Sequence, residues 1–218
     1  LDQPLQLKLS RPLPSEPSYC TISKTTSGKY YVSLLCTFTP HRKAGKGTIG
    51  IDAGITDLAT FSNGTAIPNP RHYVTAQRQL ARLQRRLSKS KKGSKNREKH
   101  RLRLARLHEH ISNQRSDYLH KLTTRLVRDN QAIAIENLQV TNMVKNHKLA
   151  KHIADAGWGT FRAMLIYKVS ETSDGYLFLA DPYFPSTQTC STCGTRPKQK
   201  LKLGTRHWTC SHCGETHQ

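Results

Sequence analysis

The chain of 218 residues has room for one domain of ordinary size plus a small module, or for two small domains. Lys and Arg number 35 against 14 Asp and Glu, a formal charge of +21 that points to a polyanionic partner, either nucleic acid or an anionic membrane face. No apolar run approaches membrane-spanning length, and the opening LDQPLQLKLSRPLP lacks the apolar core of a signal peptide, so the membrane reading has no anchor.

In chain order, TISKTTSGKYYVSLLCTF within residues 1–40 predicts two strands around Ser27-Gly28, a hairpin signal. HRKAGKG (41–47) reads as a flexible basic linker. Residues 48–62 predict a second hairpin: strand 48–52, a turn at Ala53-Gly54, and strand 57–62. Asn63-Gly64 supplies a further turn, and Pro68 and Pro70 end the β character. From about 74 to 129, Leu80, Leu83 and Leu87, then Leu104, Leu107 and Ile111, then Leu119, Leu122 and Leu126 recur at helical spacing. Two long helices are expected, joined by the polar loop SKSKKGSKN (88–96). AIAIENL (132–138) is too short for a helix and predicts a buried strand. WGTFRAMLIYKVSETS (158–173) predicts a helix with Phe161, Leu165 and Val169 on one face, and GYLFLADP (175–182) a strand stopped by proline. The fold class expected is α+β with a mixed sheet.

Six cysteines are present, four of them in Cys190-Ser-Thr-Cys193-Gly and Cys210-Ser-His-Cys213-Gly, with sixteen residues between Cys193 and Cys210. Two residues between thiolates let the chain close a tight knuckle around one metal, and Gly194 and Gly214 supply the turn that follows each. An even count also suits disulfides in a secreted protein. With no export signal, this spacing is read as a structural zinc ribbon in a reducing cytoplasm, folding on its metal. His207, His212 and His217 are competing ligands expected to stand aside. Cys20 and Cys36 are expected to be small buried hydrophobes.

The second signal is a run of cations: Arg78, Arg82, Arg85, Arg86, Lys89, Lys91, Lys92, Lys95, Arg97, Lys99, Arg101, Arg103 and Arg106 face only Glu98 as counter-charge in that span. Solvated helical faces usually mix signs. A nearly unopposed stripe is better explained by phosphate neutralisation, which positions a nucleic acid without reading its sequence.

The third signal is carboxylate placement. Asp52 ends one apolar strand and Glu136 another, and an acid there is costly unless paired or bound to metal. Taken alone, either acid suits a turn cap or an arginine partner equally well. Two acids on two strands of one sheet shift the balance toward divalent-metal phosphodiester chemistry. Asp181 is read as structural, capping the turn into Pro182 and the Ser186-Thr187 segment.

GIDAGITDLATFSNG, the helical pair around LSKSKKGSKNREKHRLRLARL, AIAIENLQVTNM, and DPYFPSTQTCSTCG followed by RHWTCSHCGETH occur in this order. The ordered set resembles the TnpB-type proteins of bacterial insertion sequences, related to compact type V CRISPR effectors, and covers essentially the whole chain. The resemblance implies a RuvC-like, RNase H-fold nuclease sheet (48–182) carrying the helical insertion 74–129, a zinc ribbon at 183–218, and at 1–40 the second half of a β-barrel that grips guide RNA. Residues 41–47 link the two.

It also implies a transposon-encoded, RNA-guided DNA endonuclease, with guide RNA and target DNA as partners and the protein cytoplasmic, on the nucleoid when bound to DNA. Asp52 corresponds to the family's first catalytic Asp and Glu136 to its catalytic Glu, both as Mg²⁺ ligands. The family's third acid follows the second knuckle and its His, whereas this sequence stops at Gln218. It also starts at Leu1, without the N-terminal lobe and first half of the barrel. A central fragment, a decayed copy or a truncated derivative is therefore expected, binding nucleic acid but cleaving little. The alternative is a nuclease-inactive form that acts only as an RNA-guided DNA-binding protein or repressor.

Overall fold

The structure is a computed structural model that describes residues 6–39, 42–181, 188–197, 199, 201, 205 and 207–217. The chain divides into two compact units, Leu1–Leu179 and Ala180–Gln218.

In the first unit, β1 (Tyr19–Lys24) and β2 (Tyr30–Leu35) form the first hairpin, antiparallel, with Tyr19 opposite Leu35 and Lys24 opposite Tyr30. Its turn docks on a long helix further along the chain: Lys29 pairs with Glu109 at 3.0 Å, and Ser27 is buried. The strands themselves stay exposed, with Tyr19, Ile22, Tyr30 and Leu35 open to solvent. Cys20 is exposed and Cys36 half-buried, which corrects their reading as core residues. Residues of the 8–14 segment lie beside β2 and Cys36, but they cover this two-stranded sheet only in part.

The main sheet has five strands: β3 (Gly47–Ala53), β4 (Asp57–Phe61), β5 (Ala66–Pro68), β6 (Asn130–Glu136) and β7 (Tyr176–Ala180), in the order β5-β4-β3-β6-β7. β3, β4 and β5 run as an antiparallel meander, and β6 joins β3 in parallel. β5 was not expected from the sequence, because Pro68 reads as a stop. Here proline closes a three-residue edge strand, where it costs no interior ladder bond.

The helices are α1 (His72–Lys89), α2 (Lys95–Asp129), α3 (Val140–Met143), α4 (Ala150–Ala156) and α5 (Trp158–Ser170). One face of the sheet is the core. Ile49 and Ile51 of β3 and Ile133 and Ile135 of β6 point into it, against Leu119, Leu122 and Leu126 of α2 and Phe161 and Leu165 of α5. Each such side chain contributes roughly 1.5–3 kcal/mol by leaving water. Period-2 alternation then sends Gly50, Asp52, Ala134 and Glu136 to the opposite face. α5 is tied to α2 by a buried ammonium: Lys168 Nζ donates to the His120 carbonyl at 2.8 Å, Thr123 Oγ1 at 2.8 Å and Thr124 Oγ1 at 2.7 Å. All three donors are satisfied, and burial holds the pKa of Lys168 below its ordinary value.

The segment expected as a flexible linker is instead fixed over its described residues. Ala44 N–H donates to Asp174 Oδ1 at 2.8 Å, Gly45 N–H to the Val127 carbonyl at 3.3 Å, and the Arg42 carbonyl accepts from Ser173 N–H at 3.1 Å. Gly45 lies so close to the Asp129–Asn130 backbone that a methyl group there would overlap it. α4, also absent from the sequence reading, supplies buried Asp155. Its carboxylate accepts from Tyr73 N–H at 2.8 Å and Val74 N–H at 3.2 Å, capping α1 from far along the chain.

The second unit holds β8 (Trp208–Thr209) and β9 (Thr216–His217), an antiparallel pair with Trp208 opposite His217. Asp181 is described, but Pro182 and the Ser186-Thr187 segment it was expected to cap lie outside the described residues.

Candidate metal centres and nucleic-acid interface

Asp52 and Glu136 come together through strand register. Ile51 pairs with Ile135 in the parallel β3–β6 ladder, so Asp52 and Glu136 are the next rung, at the carboxyl ends of both strands. Thr60 of β4 faces Asp52 across the other ladder. Asp52 is exposed and Glu136 half-buried. Glu136 is held above the ordinary carboxylate range, first by burial, then by the charge of Asp52 and a hydrogen bond with it. Neither acid is in an ion pair with Lys or Arg among the described residues. A close, uncompensated carboxylate pair at an open strand end is a donor set suited to a hard divalent cation.

Beside Glu136 lies a small apolar pocket lined by Ile51, Ile135, Trp158, Phe161 and Arg162, among others. Arg162 Nη1 donates to Asn137 Oδ1 at 2.5 Å and to the Leu138 carbonyl at 3.4 Å. Sequence reading missed both Arg162 and Asn137. The one available signal was a lone cation in the apolar helix WGTFRAML.

In the second unit the four predicted cysteines converge, with their sulfurs all within 4.8 Å of one another. Cys190 Sγ lies 3.5 Å from Cys213 Sγ, and Cys193 Sγ 3.7 Å from Cys210 Sγ. A tetrahedral zinc with Zn–S bonds near 2.3 Å separates its sulfurs by about 3.8 Å, so the cage has the right size. The two knuckles have the same backbone pattern. Gly194 N–H donates to the Cys190 carbonyl at 2.8 Å and Gly214 N–H to the Cys210 carbonyl at 2.9 Å. Both glycines sit at positive φ, 70° and 75°, where other residues are strained.

The donors themselves call for a cation. Hydrogen bonds from Thr195 bring Cys193 down to about 5. At Cys213 the Glu215 N–H pulls downward, yet burial and the three neighbouring thiols push it up to about 12. Without a metal, four crowded sulfurs cannot all ionise. His207 and His212 are exposed and outside the cluster. His217 is also outside the four-sulfur cluster, but its Nε2 lies 3.1 Å from Cys190 Sγ, and its ring stands 4.7 Å from that of Trp208.

The basic side chains lie on the α1–α2 hairpin. Arg78, Arg82, Arg85, Arg86, Lys89, Lys91, Lys92, Lys95, Lys99 and Arg103 are exposed, and none of them is in an ion pair among the described residues. Two members of the predicted stripe differ. Arg97 is half-buried and donates through Nη1 to the Leu87 carbonyl at 2.8 Å and the Ser90 carbonyl at 3.0 Å, closing the inter-helix turn. Arg101 forms a two-pronged pair with Glu98, Nε–Oε2 at 2.8 Å and Nη2–Oε1 at 2.5 Å.

Compared with known families, residues 21–147 match OrfB_IS605, described as "Probable transposase", and residues 158–218 match the Cas12f1-like TNB domain. The chain belongs to the OrfB_IS605 family. Among relatives of this OrfB_IS605 chain, a Streptomyces pristinaespiralis protein named "Putative RNA-guided DNA endonuclease" is 48% identical over 99% of this chain and 54% of its own length. InsQ of Escherichia coli K12, which bears the same description, is 36% identical over 82% of this chain and 48% of its own. The OrfB_IS605 chain thus spans about half the length of the curated relatives it matches. Its fold is similar to a chain in a cryo-EM structure of a CRISPR-Cas12f ternary complex, with TM-score 0.50 and 17% identity, covering 86% of this chain and 39% of that one. The family read from the ordered motifs and the family found by comparison are the same. No helix among the described residues is long and apolar enough to cross a membrane.

Proposed function

We propose that the chain is the guide-holding and cutting portion of a transposon-encoded, RNA-guided DNA endonuclease of the TnpB type. The observation that carries this is the β3–β6 register, which sets Asp52 and Glu136 on one rung at an open strand end. The strand order, a three-stranded meander extended by parallel β6, supports an RNase H/RuvC-like sheet. The names of the relatives support guide RNA and target DNA as partners, and the unpaired cations of the α1–α2 hairpin offer the phosphate contacts. Four clustered thiols suit the reducing cytoplasm and a structural zinc.

Asp52 and Glu136 would hold Mg²⁺. Bound there, such a metal would supply Lewis-acid chemistry for phosphodiester hydrolysis. The residues' own part is positional. Asp52 would offer an exposed carboxylate at the strand end, and half-buried Glu136 a second one on the same rung.

The deciding experiment isolates the protein with its co-purifying RNA, sequences that RNA, and offers a matching DNA target with Mg²⁺. The expected result is a discrete RNA and target binding that depends on it, with any cleavage abolished by Asp52→Ala. Cleavage that survives Asp52→Ala would remove the acid pair from the mechanism, and target binding unaffected by RNA removal would end the RNA-guided reading.

A further inference from the structure

Arg162 shares a pocket with Glu136 but does not neutralise it. Its Nη1 reaches instead to Asn137 Oδ1 at 2.5 Å and the Leu138 carbonyl at 3.4 Å, groups on the two residues that directly follow the acid. The arginine stands on α5, flanked by Phe161, which is buried in the core, while Trp158 one turn earlier is buried too. Its stem is therefore anchored to the same layer that supports the sheet. The guanidinium contacts a neutral amide and a carbonyl, so it fixes the chain where it leaves β6 without closing the acid pair. An arginine forked onto Glu136 itself would form a strong charge-assisted pair and compete with any cation.

We infer that Arg162 is a positioning residue, which through Asn137 and Leu138 sets Glu136 as a metal ligand beside Asp52. The inference rests on the acid-pair reading above. Groups behind a metal's direct ligands orient those ligands, and losing one commonly weakens metal binding by a factor on the order of ten or more.

The test is a Mn²⁺ titration of the zinc-loaded chain followed by electron paramagnetic resonance, with Mn²⁺ standing in for Mg²⁺. Wild type, Asp52→Ala, Arg162→Gln, Asn137→Ala and the Arg162→Gln/Asn137→Ala double variant are compared. Arg162→Gln and Asn137→Ala should each weaken Mn²⁺ binding roughly ten-fold. The double variant should be no weaker than either single one, because both remove the same link. Should Arg162→Gln fail to fold, Asn137→Ala carries the test, since it leaves the arginine in place and trims one half-buried side chain.

Wild-type affinity in a folded Asn137→Ala, with affinity lost in Asp52→Ala, overturns the positioning role and leaves the acid pair standing. Fully additive losses in the double variant overturn it as well. Unchanged affinity in Asp52→Ala defeats the acid-pair reading itself, and the inference with it.

Discussion

At the scale of single residues, two carboxylates on one rung of a sheet impose a repulsive load on the metal-free fold. Glu136 has a folded-state pKa raised above its ordinary value near 4.5, so between the two values the folded state holds a proton that the unfolded chain releases. Its charged form therefore costs stability above the raised pKa, and acidification through that pKa recovers the cost. Glu136→Gln should stabilise the metal-free protein at neutral pH by about 0.5 kcal/mol, allowing for solvent screening of a half-exposed group, or roughly 1–2 °C in melting midpoint. The gain should vanish as pH falls toward 4.5, and the variant should lose any stabilisation by Mn²⁺. Thermal melts across pH, with and without Mn²⁺, check all three statements. Asp52 and Glu136 were legible in the sequence because a lone acid interrupting an apolar strand stands out locally. Arg162 was not, because its acceptors lie on another element. Cys20 was misread because burial depends on a covering layer, which strand pattern alone cannot supply.

At the scale of elements, the α1–α2 hairpin was legible from its leucine spacing and glycine-containing loop. The division of labour among its cations was not. Arg97 ties down two carbonyls at the turn, whereas Arg85 is exposed with no carboxylate partner among the described residues. Arg85→Ala should lower the slope of log affinity against log salt for double-stranded DNA by about 0.9, one released phosphate contact. Arg97→Ala should leave that slope unchanged and instead cost about 1–2 kcal/mol of stability through two unsatisfied carbonyls. Fluorescence anisotropy over a salt series, paired with chemical denaturation, separates the two. Equal slopes for wild type and Arg85→Ala would show that this face does not meet phosphate. The same limit of sequence reading applies to 42–47. Its composition suggests a linker, but its backbone is held by Val127 and Asp174, distant residues that no local pattern announces.

At the scale of the whole molecule, the two units rest on different kinds of stabilisation. The first has a continuous apolar core beneath one face of its sheet, whereas among the described residues of the second only Cys190 and Cys210 are buried. A metal held by the four cysteines would therefore supply much of the second unit's stability. Elemental analysis should find one zinc per chain. Chelation should open residues 188–217 to proteolysis while the helical circular dichroism signal of α1, α2 and α5 persists. Loss of that helical signal on chelation would contradict separate stabilisation. The spacing of the cysteines made the cage legible, and only the folded β8–β9 pair reveals that His217 touches one of its sulfurs.

The junction between α2 and β6 has a mechanical consequence. The helix is 35 residues long, about 50 Å, and passes into the acid-bearing strand without an intervening loop. Its first turns carry the cationic loop and are braced by α1 and by the β1–β2 turn through Arg101 and Glu109, and its other end is clamped by core packing and by the strands on either side of β6. Such an arrangement is a cantilever. A tilt of only about 5° at Leu119, where core packing begins, would sweep Lys95 at the tip through about 3 Å. If the cationic turn meets a duplex, as proposed above, the tip would shift with its bending while Glu136, on the clamped side, would stay almost still.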